Sequence, residues 1–331
     1  MKIKEVHLKQ YFTGAPSLEY FDIVSRDLPS PGEGEVRVQN LWLSVDPYMR
    51  PRMAGLKTYI DPFEIGKAME GGAVGIIESS NHPKFKVGDH VLSMLGWREG
   101  YVSDGKGLTP VDTRLLPVET YLGLAGLTGF TAYVGLTRIL DLKDGETIWI
   151  SAGAGAVGCA AIQMAKAMGA HVIASAGGAE KCALLKELGC DGVIDYKAED
   201  NLTAAVKREA PGGIDAYFEN VGGAHLEAAL NTLKPLGRIA ACGMISRYND
   251  DRAQPGPSNI INVVTKSLRM QGFIVTQHMD LQPRFIEALS TWMMKGQIKN
   301  HQTIYEGIER APEAFMGLFS GSNTGKMVVK V

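Results

Sequence analysis

Residues 147–170 read "TIWISAGAGAVGCAAIQMAKAMGA", an apolar run followed by Gly153-x-Gly155-x-x-Gly158 and an amphipathic helical stretch. This order of strand, glycine turn and helix constrains the chain more than any other segment. The first glycine permits a tight turn, the second lets backbone N–H groups approach a pyrophosphate, and the third lets the helix pack on the strand. The helix N-terminus, with Ala156 and Val157 in its first turn, then faces the anion. Alone the motif would be weak evidence, but further apolar runs follow it: "HVIAS", "GVID", "IDAYFEN", "GRIAACG" and "RMQGFIV", separated by helical segments. Six strands with crossover helices predict an α/β fold with a doubly wound parallel sheet.

The second strand, from His171 to Ser175, is followed by Ala176, 18 residues after Gly158, where an NAD-binding chain carries Asp or Glu for the ribose hydroxyl. A carboxylate there would repel a 2′-phosphate, and none is present. Lys181 on the next helix can reach back across Gly177 toward such a phosphate, and Ser175 and Tyr196 are candidates for added hydroxyl hydrogen bonds. The alternative for Lys181 is a solvated lysine paired with Glu180 or Glu187. Together with Ala176 the pattern predicts NADPH. A methyltransferase on a similar sheet would also want the missing acid.

Residues 1–121 read differently, as short strands punctuated by Gly and Pro ("EVRVQNLWLSV", "GGAVGIIESS", "VGDHVLSML"), and the closing "GKMVVKV" returns to strand character. The expected organisation is one β-rich domain from 1–121 and 300–331, with a nucleotide-binding domain over 122–299 inserted into it. A net charge of −2 over 331 residues gives no electrostatic footprint for nucleic acid or an anionic membrane. No apolar run reaches membrane-spanning length, and "MKIKEVHLKQYF" is charged throughout, so a soluble, untargeted chain is the expectation. Cys159, Cys182, Cys190 and Cys242 stand singly, without a CxxC, which suits thiols in a reducing cytoplasm.

The segments "SVDPYMRPRM", "MEGGAVG", "GLTGFTAYVGL", "AGAGAVG", "YFENVGG", "LRMQGFIV" and "GSNTGKMVVKV" together carry a resemblance that runs nearly end to end. The chain resembles the zinc-independent medium-chain dehydrogenase/reductase group that includes leukotriene B4 12-hydroxydehydrogenase/prostaglandin reductase, plant 2-alkenal reductases and bacterial curcumin reductase. The resemblance implies a GroES-like β-rich catalytic domain plus a Rossmann domain, a homodimer, NADPH, and reduction of the activated carbon–carbon double bond of an enone or enal. It also implies Tyr48 and Tyr248 as catalytic tyrosines, and Tyr59, Arg50 and Arg52 around the substrate, the arginines flanking the mouth of the pocket. For the cofactor it implies Asn220, the stretch from Cys242 and Gly243 to Ser246, the stretch from Phe273 to Val275, and Asn323, with Gly222 and Gly223 allowing close approach.

Zinc can be judged from the residues. Related alcohol dehydrogenases bind a catalytic zinc through Cys and His, but Ser44 to Tyr48 hold no Cys, Met69 stands where His is expected, and all cysteines lie beyond residue 150. Glu70 is expected to be structural. Without a Lewis acid, hydrogen-bond donors must stabilise the charge that develops on the substrate. Thr128 replaces a proline common in the family, which bears on the local pocket wall. The alternatives are a quinone reductase of the zeta-crystallin type on the same scaffold and a non-enzymatic NADPH-binding protein.

Overall fold

A computed structural model describes residues 1–250 and 252–331. The chain begins with β1 (Lys2–Leu8) and β2 (Phe21–Asp27), an antiparallel pair, then β3 (Val36–Ser44) and the short helix α1 (Met49–Met53). Strands β4 (Ala73–Ser80), β5 (His90–Ser93), β6 (Gly100–Ser103) and β7 (Thr109–Pro110) follow, all antiparallel to their neighbours. Met49 and Met53, one helical turn apart on α1, both enter a core with Met69, Trp97 and Phe315, so the helix is anchored by its apolar face.

Helix α2 (Leu127–Val134) leads into regular alternation: β8 (Thr147–Ile150), α3 (Ala156–Ala167), β9 (His171–Ala176), α4 (Ala179–Glu187), β10 (Gly192–Asp195), α5 (Leu202–Glu209) and β11 (Ile214–Glu219). It continues through α6 (Ala224–Thr232), β12 (Leu233–Ala241), α7 (Asn262–Thr265), β13 (Arg269–Gly272) and α8 (Gln282–Met294). The six strands form one parallel sheet in the order β10-β9-β8-β11-β12-β13. Each strand expected from the sequence is present. The last segments are β14 (Gln302–Glu306), α9 (Ala311–Ser320) and β15 (Lys326–Lys330). β15 pairs with β3, so the tail completes a seven-stranded sheet with the early strands.

Period-2 alternation explains how the parallel sheet fills both of its faces. Ile148, Ile150, Val172, Ala174, Ala216 and Phe218 pack on the side of α3, whereas Trp149, Ile173, Tyr217 and Ile239 pack among residues of α5 and α6. Trp149 and Tyr217 stack with ring centroids 4.7 Å apart; each such buried side chain contributes roughly 2–3 kcal/mol. The strand order reverses between β9-β8 and β8-β11, which opens a crevice beyond the carboxyl ends of β8 and β11. Thr128, on the first turn of α2, donates to the Gly123 carbonyl at 2.9 Å and leaves the helix undisturbed.

Candidate active site

The crevice is floored by the glycine turn. Gly155 caps α3 in an extended conformation, and Ala156 and Val157 form its first turn, where helix N–H groups lack intrahelical partners. Gly158 cannot carry a side chain: a Cβ there would lie 2.3 Å from the Ala152 carbonyl oxygen and 2.8 Å from the backbone of Gly153. Helix and strand therefore approach closely enough for the turn to cradle a phosphate pair.

Beyond β9, cations gather where an acid would exclude a phosphate. Burial lowers the Lys181 pKa, and Lys197 lowers it further, which outweighs the opposing influence of Glu180. Gly177 lies beneath Tyr196 and Lys197, since a Cβ on it would sit 2.9 Å from the Tyr196 hydroxyl and 2.8 Å from Lys197 Cε. Asp195 fixes this loop by accepting from the amides of Gly178 at 2.9 Å and Lys197 at 3.1 Å. Lys197 was missed in the sequence because it follows a strand end with no motif; its only signal is adjacency to Tyr196. Ser175 is corrected: it is fully buried and accepts from the Trp149 indole at 3.3 Å. Strand alternation turns its hydroxyl into the sheet face, out of reach of a phosphate at the loop.

At the ends of β11 and β12 the backbone is held by one acid that the sequence reading left aside. Glu219 is fully buried, and its Oε1 accepts from the Tyr217 hydroxyl at 2.9 Å and from the amides of Val221 at 2.6 Å and Gly222 at 2.8 Å. Burial raises its pKa, and the two amides pull against that. Asn220 donates through Nδ2 to the Ser151 carbonyl at 2.8 Å, joining β11 to β8. Ser246 donates to the Val221 carbonyl at 2.5 Å, and the amide of Gly243 donates to Glu219 O at 3.1 Å. Burial pushes the Cys242 thiol up to about 12, with Glu219 adding to it. Phe273 lies edge-on to Phe218 at 6.5 Å, while the Val275 side chain is buried in the core that holds Phe285. Asn323 is buried and donates to the Gly325 carbonyl at 3.2 Å.

The tyrosines converge from both sheets. Tyr48 precedes α1; its hydroxyl is buried with no hydrogen-bond partner among the described residues, and its pKa is raised well above the ordinary phenol value by burial, then by Asp46. Tyr248 follows the turn after β12, with its hydroxyl 3.1 Å from where a Gly243 Cβ would stand, and burial raises its pKa also. Tyr59 is 62% exposed; its phenol is still raised, first by partial burial and then by Tyr248 and Cys242. Tyr59 also adds to the shift of Tyr48, so the three phenols lie within electrostatic reach of one another. All three are protonated donors at neutral pH. A buried hydroxyl left unpaired costs about 1–3 kcal/mol, a cost that an incoming acceptor removes.

Arg50 and Arg52 do not flank an open mouth. They are 2% and 4% exposed. Arg50 donates to the Gly14 carbonyl at 2.7 Å and to Asn249 Oδ1 at 3.1 Å, and stands over Phe12 at 4.5 Å. Arg52 donates to the Asp61 carbonyl at 2.7 Å and to Glu70 at 2.8 Å, and stands over Phe63 at 3.8 Å. Both bind loops around α1, because the positions beside Met49 and Met53 on so short a helix are covered by those loops. Glu70 thus has the structural role expected of it.

A doubly wound sheet with a glycine turn at its switch point, facing a β-rich sheet that supplies tyrosines, defines a medium-chain dehydrogenase/reductase. Residues 4–111 match the family described as N-terminal domain of oxidoreductase, and 156–291 the family described as zinc-binding dehydrogenase. The chain is 42% identical to the NADP(+)-dependent 2-alkenal reductase of Nicotiana tabacum, with 99% of this chain and 97% of that protein covered. It is 40% identical to prostaglandin reductase 1 of Rattus norvegicus, covering 98% and 97%. The crystal structure of CurA from Vibrio vulnificus in complex with NADPH superposes with a TM-score of 0.94 at 38% identity, covering 99% of each chain. The chain belongs to the leukotriene B4 12-hydroxydehydrogenase/prostaglandin reductase family of medium-chain dehydrogenases/reductases.

The residues do not fit the zinc in one of those descriptions. Among the described residues no group of three or more His, Cys, Asp and Glu side chains is placed to hold a metal ion. Met69 is buried in the apolar core, and Asp46 is engaged by Lys326.

Proposed function

We propose that this chain reduces the activated double bond of α,β-unsaturated ketones and aldehydes with NADPH, adding hydride at the β-carbon. The observation that carries the reading is the Tyr48 hydroxyl, buried and without a hydrogen-bond partner among the described residues, within electrostatic reach of Tyr59, which Tyr248 influences in turn: a donor awaiting an acceptor. NADPH, when bound, supplies the hydride. Gly153 to Gly158 would hold its pyrophosphate; Lys181, Lys197 and Tyr196 would hold its 2′-phosphate. Asn220, Cys242, Gly243, Ser246, the backbone at Phe273 and Val275, and Asn323 would line its nicotinamide half.

Tyr48 and Tyr248 donate to the substrate carbonyl oxygen, where negative charge develops as the β-carbon is attacked. A neutral phenol polarises a carbonyl less than a metal ion does, so conjugation directs attack to the β-carbon and not to the carbonyl carbon. Tyr248 or water then protonates the α-carbon. Tyr59, the most exposed of the three, would stand on the solvent side of the substrate.

The division at about residues 121 and 300 belongs to the same reading, with β14 and β15 counted in the β-rich domain. So does a homodimer, supported by the free outer edge of β13 and the exposed side chains of Ile260, Ile261, Val264 and Met270 near it. A reducing, cytoplasmic setting is supported by four cysteines that form no disulfide. Among the described residues no helix is long and apolar enough to cross a membrane.

The test is cofactor oxidation with a panel of enones, enals and quinones, each with NADPH and NADH. The expected result is turnover of enones or enals with NADPH. Turnover of quinones alone, or of nothing, would overturn the reading.

A further inference from the structure

We infer that Lys326 is a positioning residue for the reaction, holding the Tyr48 loop in register with the glycine turn beneath the cofactor. The inference rests on the reading that Tyr48 acts on the substrate carbonyl.

Lys326 is 3% exposed, and its ammonium donates to the Val45 carbonyl at 2.8 Å and to Asp46 Oδ1 at 2.7 Å. The other oxygen of Asp46 accepts from the Ser44 hydroxyl. Asp46 stands two positions before Tyr48 and is, after burial, the strongest influence on that phenol. One residue before Lys326, the Gly325 amide donates to the Ala154 carbonyl at 2.8 Å, and Gly325 forms a parallel bridge with Gly155. Two consecutive residues of the tail thus touch both halves of the crevice: the phosphate turn on one side and the tyrosine loop on the other.

This strut cannot slide. Gly325 has φ +64°, and a Cβ on it would meet the His301 carbonyl oxygen at 2.1 Å. The amide of Lys326 donates to the same carbonyl at 2.9 Å, and Thr303 and Thr324 exchange two hydrogen bonds of 2.9 Å beside it.

Stability does not account for a lysine at this position. The next three residues, Met327, Val328 and Val329, are buried and apolar. Replacing a buried ion pair with apolar groups of similar volume is often neutral or stabilising, because each charge loses its hydration. What the pair supplies is direction: an ammonium that satisfies a carbonyl and a carboxylate on adjacent residues fixes the backbone at Val45 and Asp46, whereas an apolar contact would let it shift.

The experiment compares Lys326→Met/Asp46→Asn, which leaves no stranded charge, with Tyr48→Phe and the triple variant, measuring kcat, KM and NADPH affinity of the full chain; Lys326→Gln/Asp46→Asn, equally free of a stranded charge, is the fallback should the first pair variant not fold. The expected result is a kcat lower by about ten- to hundredfold with NADPH affinity nearly unchanged. The triple variant is expected to be no slower than Tyr48→Phe, since residues acting through one group are not additive. Wild-type kcat with only a lower melting temperature, or losses that multiply in the triple variant, would overturn the inference while leaving the Tyr48 role standing. Wild-type turnover in Tyr48→Phe would overturn both.

Discussion

Tyr48 and Tyr248 offer their phenols from opposite sheets, so each can be removed without disturbing the element that carries the other. Losing a positioned proton donor costs about 10²–10⁴ in rate. Tyr48→Phe and Tyr248→Phe are therefore expected to lower kcat with NADPH affinity near normal, and wild-type turnover in both would leave water as the only donor. At the other end of the crevice, Lys181→Ala removes one charge-assisted hydrogen bond to a 2′-phosphate, roughly 1.5–3 kcal/mol, or about ten- to hundredfold in NADPH affinity. NADH affinity should barely move, and equal losses for both cofactors would contradict the assignment. A pH effect belongs to His225, which is buried against Trp149 and beside Tyr196 and whose pKa burial pushes down to about 4. The folded chain holds it neutral, while the unfolded chain binds a proton below about 6.5. Stability from this residue is thus full above about pH 6.5 and is lost as pH falls toward 4, by roughly 3 kcal/mol. Melting temperatures of wild type and His225→Phe should diverge across that window; parallel curves would refute it. Ala176, as a missing acid, was legible in the sequence; the facing of Ser175 was not, because it depends on which phase of the strand meets the core. Arg50 and Arg52 were misplaced for a related reason: charge suggests exposure, yet three loops cover them.

Strand-forming runs were the most legible elements, since parallel strands buried on both faces read as continuous apolar stretches, as in Ile148 to Ile150. β14 was not foreseen, because its strand-forming Thr303, Ile304 and Tyr305 make a run of only three between polar ends and the strand is only partly covered. Contacts between distant segments, such as Lys326 with Asp46 or Arg50 with Asn249, leave no local signal. β13 shows what edge position does. Its residues are exposed, among the described residues it pairs only with β12, and such an edge is a template for a second chain. Light scattering on the purified protein is expected to give a dimer, and Val264→Asp combined with Met270→Lys to shift it to monomer. A wild-type monomer would contradict the role given to this edge.

For the whole molecule, the proposed site draws Tyr48 from beside the β-rich sheet and Tyr248 from beside the parallel one. The tail couples them, since β15 completes the first sheet while Gly325 bridges to the glycine turn of the second. On the proposed reading, phenol donors in place of a metal direct hydride to conjugate addition, and this is the central claim. Its most direct test follows the label from NADPH deuterated at the transferring position of the nicotinamide during turnover of a simple enone. The account predicts a saturated ketone with deuterium on the β-carbon; an allylic alcohol with deuterium on the carbinol carbon would contradict it.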